Sequence, residues 1–124
     1  MSLLRSMEIV VVETPQRLYR VSTARDDDRF ADAFRSHYER RLPPRGPEGR
    51  AAAIHMALSM FDTADVAAQL ARRVPKLGGH VATVELRPDL GLCVAKTGGP
   101  AHWSVWGRPV QLTDCVLHVV QATR

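Results

Sequence analysis

At 124 residues the chain has the length of one domain (1–124), and with 45% hydrophobic residues it can bury a core without covalent staples. Its two cysteines, Cys93 and Cys115, lie in apolar runs, which argues against a disulfide scaffold and for buried thiols in a reducing compartment. The net charge of +4 invites a polyanion partner, yet the basic residues, all but two of them arginine, are scattered along the chain.

The first residues, Met1–Val12, carry Arg5 and Glu8 within a short apolar stretch. They lack the unbroken apolar segment of a signal peptide or a spanning helix, so a cytoplasmic protein that does not enter the membrane is expected. Glu8–Glu13 and Arg17–Thr23 read as strands, parted by the turn-forming Thr14-Pro15-Gln16. The period then changes. Asp26-Asp27-Asp28 offers a cap and negative charge, and Phe30, Ala33, Phe34, His37, Tyr38 and Leu42 follow helical spacing. A helix over Asp28–Leu42 is expected, ended by Pro43-Pro44, with Pro43–Gly49 as a loop.

Ile54, Met56, Leu58 and Met60 alternate with smaller or polar residues, predicting a strand over Ile54–Met60. Asp62 or Thr63 caps a second helix whose apolar stripe is Val66, Ala67, Leu70, Ala71 and Val74, closed by Pro75 and Gly78-Gly79. His80–Leu86, Gly91–Ala95 and His102–Trp106 follow as strands. A helical turn after Pro109 leads to a last strand, Cys115–Gln121, whose two apolar faces predict a central position. The expected class is α+β: about six short strands in a mixed or antiparallel sheet, with two main helices packed on it.

No metal site is expected, because none of the five histidines, His37, His55, His80, His102 and His118, has metal-ligand spacing with another. The sequence also lacks a Walker loop, a dinucleotide fingerprint and a hydrolase elbow. Two features stand out. In Gly98–Gly107, alternation sets His102, Ser104 and Trp106 on one face of a strand and Trp103 and Val105 on the other. The first set would either pack in the core or line a ligand pocket, with Trp106 stacking on a planar group. Arg20 interrupts an early strand, where its fork would suit a phosphate or carboxylate.

Leu18-Tyr19-Arg20-Val21 is similar to the Leu-Tyr-Arg strand that opens many ADP-ribosyltransferase-like domains, including the RES-type branch of NAD-consuming toxins. Leu58-Ser59-Met60-Phe61-Asp62-Thr63, followed by an alanine-rich helix, resembles their strand-to-helix step. The resemblance implies NAD as substrate, with Arg20 on its phosphate, Ser59 at the nicotinamide ribose and a late carboxylate against the developing positive charge. Glu85 is the carboxylate assigned to that role, and His102, Ser104 and Trp106 would line the NAD cleft. Two alternatives stand beside the NAD-consuming enzyme. One is a non-catalytic binding module engaging a small ligand or a protein partner, with a homodimer among the options. The other is nucleic-acid binding through the arginine-rich stretch 35–50.

Overall fold

A computed structural model of the chain describes residues 8–36 and 56–122. Seven antiparallel strands form one sheet in the order β1-β5-β6-β3-β2-β4-β7. They are β1 (Val10–Val11), β2 (Gln16–Ser22), β3 (Leu58–Phe61), β4 (His80–Leu86), β5 (Cys93–Lys96), β6 (His102–Trp106) and β7 (Val116–Gln121). Among the described residues two α-helices accompany them, α1 (Ala64–Arg73) and α2 (Pro109–Asp114). The α+β class is thus present with seven strands rather than six. The strand expected over Glu8–Glu13 is the two-residue β1, which pairs Val10 with Val94 and Val11 with Cys93.

Period-two alternation divides the sheet into two faces. On one, Leu18, Leu58, Met60, Ala82, Val84 and Val105 join Phe30, Phe34 and Leu112 of α2 in the larger core. Leu18, Phe34, Met60 and Leu112 are wholly excluded from solvent. Each such side chain contributes about 1.5–3 kcal/mol. The other face packs Val21 and Val81 against Ala67 and Ala71 of α1. Thr63 caps α1, its hydroxyl accepting the Val66 N–H at 3.2 Å. At the far end Gly78 takes φ +117°, and a Cβ there would lie 2.5 Å from the Ser22 carbonyl oxygen.

Three expectations are corrected. The helix over Asp28–Leu42 is replaced, as far as Ser36, by turns and a short 3-10 segment, Ala31–Phe34, after which Arg35 is extended. The Asp27 carboxylate accepts the Arg29 N–H at 2.8 Å, and Phe30 N–H reaches back three residues to Asp27. These local bonds compete with an α-helical start, while Phe30 and Phe34 still reach the core with ring centroids 5.2 Å apart. The third strand is shifted: Met56-Ala57 form a turn and the strand runs Leu58–Phe61. Its predicted start at Ile54-His55, the loop Pro43–Gly49 and Arg40, Arg41, Arg45 and Arg50 of the basic stretch lie outside the described residues.

The last strand is also misplaced by its sequence. β7 is an edge, paired only with β4 among the described residues, and Leu117 and Val120 are 49% and 53% exposed. Among the described residues no helix is long and apolar enough to cross a membrane.

Candidate functional site

Alternation along β2 puts Arg20 on the larger-core face with Leu18 and Ser22. Its half-buried guanidinium donates from Nε to the Ala33 carbonyl at 2.9 Å and from Nη1 to the Ser59 carbonyl at 2.7 Å. Arg20 therefore ties the 3-10 segment to β3 through main-chain oxygens. Ser59 meets it by backbone alone, because Leu58 and Met60 on either side point into the core and Ser59 points the other way.

Glu85 does not join them. It pairs with Arg17 at 3.0 Å, the two side chains 36% and 53% exposed. The register Arg17–Glu85 and Arg20–Ala82 places that pair three residues along the strand and on the opposite face of the sheet from Arg20. The carboxylate that does share the Arg20 face is Asp62. It accepts the Trp103 indole N–H at 3.1 Å and Lys96 Nζ at 3.3 Å. Those bonds, the indole's first, hold its pKa below the ordinary 3.8. The sequence signal for Asp62 was its even spacing from Met60, masked by its plausibility as a helix cap.

The remaining predicted residues serve the β5–β6 hairpin. His102 Nδ1 lies 3.0 Å from the Thr97 carbonyl oxygen, and Thr97 Oγ1 lies 2.8 Å from the buried Ser104 hydroxyl. The imidazole also meets Phe61 edge-on, ring centroids 5.5 Å apart. Burial is the main cause holding its pKa below 6.5, with the charge of Arg20 adding to it against the Thr97 hydrogen bond. Trp106 is half-buried opposite Cys93. Among the described residues no three His, Cys, Asp or Glu side chains gather as for a metal ion.

On the α1 face, cross-strand neighbours form a row: His102, Phe61, Tyr19, Thr83 and His118. Helix α1 packs mainly on β2, β3 and β4 rather than on β7, at the far end of this row among the described residues. The result is a groove of about 480 Å³ lined by Arg17, Tyr19, Arg72, Thr83, His118 and Val120. In its floor Thr83 Oγ1 and His118 Nε2 are 3.2 Å apart.

The edge itself has a defined hydrogen-bonding pattern. Ala122 N–H donates to the Gly79 carbonyl at 2.9 Å, one step beyond the His80–Gln121 pair. Antiparallel pairs alternate between bonded and non-bonded, so residues 118, 120 and 122 bond inward to β4. The N–H and C=O groups of Val119 and Gln121 then point outward. At the start of the strand a register shift falls between Thr83 and Val84, and Arg25 Nη2 donates to the Val116 carbonyl at 3.0 Å. Among the described residues the open stretch is therefore 118–122, flanked by exposed apolar side chains and holding no lysine, arginine, aspartate or glutamate. Comparison with protein-family models, with curated proteins and with solved structures found no match for this chain.

Proposed function

We propose that the protein is a non-catalytic interaction module that takes an extended partner segment along β7. The observation that carries this is the β7 edge, with outward amides at Val119 and Gln121 and with Val120 53% exposed. Edge strands that must stay solitary are blunted by lysine, proline or brevity; β7 is six residues long and has no lysine or proline. Strand addition supplies main-chain hydrogen bonds for affinity, and the groove beside α1 offers side-chain contacts for selection.

A second reading keeps the NAD-consuming chemistry, motivated by the Asp62 carboxylate on the Arg20 face, held by Trp103 and Lys96. In it the bond from ribose to nicotinamide breaks as positive charge grows on the sugar, and a carboxylate must face that charge. Asp62, on the Arg20 face, would take the part assigned to Glu85. Incubation with NAD, with nicotinamide measured by chromatography, separates the two readings. The interaction module leaves NAD at the level of a buffer blank. Release above the blank that disappears in a folded Asp62→Asn variant would overturn it in favour of the second reading.

A further inference from the structure

Resting on the interaction-module reading, we infer that the strand received by β7 is β7 of a second copy of this chain. The two strands pair antiparallel about a two-fold axis through Val120. Pairing both outward residues within 118–122 selects this register. A two-fold at Val120 sets Val119 against Gln121 of the second copy and Gln121 against its Val119, so each pair exchanges two main-chain hydrogen bonds. Val120 then faces its own counterpart in the non-bonded, closely spaced position, covering a side chain that is 53% exposed in the monomer. The register shift at Thr83/Val84 and the Arg25 bond to Val116 remove the start of the strand from use. What remains, 118–122, is symmetric about residue 120.

Charge favours the same occupant. The chain carries +4, so most surfaces of two copies repel, yet Cys115–Ala122 holds no lysine, arginine, aspartate or glutamate. The strand itself therefore brings no like charges face to face, and the nearby Arg17 is paired with Glu85. Among the described residues the other end of the sheet is the two-residue β1, too short to supply an equivalent ladder. A β7–β7 contact is isologous and closes at two copies, whereas β1-to-β7 pairing is heterologous and does not close at two copies. Five residues a side bury well under about 800 Å² per partner, so the dimer is weak and exchanges quickly. The product is a continuous fourteen-stranded sheet, twice the observed seven, with one α1 groove on each side of the axis.

Light scattering behind a sizing column, from about 10 μM to about 1 mM, covers the range expected for so small an interface. The mass should climb from 13.8 kDa toward twice that value. Val120→Lys, an exposed change that leaves the monomer core intact, should weaken dimerisation at least tenfold. In a Cys93→Ser background, Val120→Cys should form a disulfide-linked dimer under mild oxidation. Val110→Cys, placed on α2 where the native side chain is 60% exposed, should not. Monomer mass throughout, with no preferential cross-link at 120, overturns the self-pairing. Consumption of NAD would instead overturn the interaction-module reading beneath it, so the two failures are distinguishable.

Discussion

Arg20→Met removes the guanidinium while keeping most of the aliphatic stem, and so removes, with its other contacts, the two hydrogen bonds that tie the Ala31–Phe34 segment to β3. Bonds from a charged donor contribute about 1.5–3 kcal/mol each, and the one to Ser59 is discounted because it is solvent-exposed. The sum is about 3 kcal/mol, a large share of the 5–15 kcal/mol typical of a domain. Urea denaturation followed by circular dichroism should show the midpoint falling with an unchanged slope. Arg20→Lys has no fork to reach both oxygens and should recover about 1 kcal/mol. A loss under about 1 kcal/mol for Arg20→Met would refute the reasoning. The guanidinium would then be a side chain held ready for a ligand, as the NAD-consuming reading requires.

Gly78→Ala should cost at least about 2 kcal/mol in the same denaturation assay, since it combines a left-handed backbone with a Cβ 2.5 Å from the Ser22 oxygen. Gly79→Ala, where a Cβ meets nothing within 4 Å, should cost less. Thr63→Ala removes the α1 cap and should destabilise by about 1 kcal/mol, with Thr63→Ser restoring most of it. For His102 the folded pKa lies below the ordinary 6.5, so the unfolded chain binds the proton more readily. Stability should therefore fall as pH drops below about 6.5 and level off beneath the folded pKa, and His102→Gln should flatten that slope in thermal melts at pH 5 to 8.

The sheet was legible where alternation and turn chemistry agreed. His80–Leu86 and His102–Trp106 match their strands residue for residue, and Thr63 with its alanine-rich stripe announced α1. Asp26–Phe34 misled because an acidic run before apolar residues spaced three and four apart has two solutions. It can start an α-helix, or it can fold back on itself as the Asp27–Arg29 turn does. β7 misled for another reason. Apolar residues on both faces signal burial only if something covers both faces, and α1 packs mainly on β2, β3 and β4. The candidate site was harder still. Ser59 and Arg20 were singled out, but their contact runs through a main-chain carbonyl that no side-chain pattern encodes. The separation of Glu85 from Arg20 depends on strand register, and single-sequence periodicity carries no register between strands distant in the chain. Asp62, Lys96 and Trp103 come together only because β3, β5 and β6 are neighbours.

The most direct test of the account is amide hydrogen exchange at Val119 and Gln121, measured residue by residue on dilute protein and again near 1 mM, a span chosen for weak association. The account predicts fast exchange at both amides in the dilute sample, beside slow exchange at Val120 and Ala122, which bond inward. At the higher concentration both outward amides should become protected. Slow exchange at Val119 and Gln121 in the dilute monomer would mean that the edge is already covered within the chain, and would contradict β7 as a docking strand.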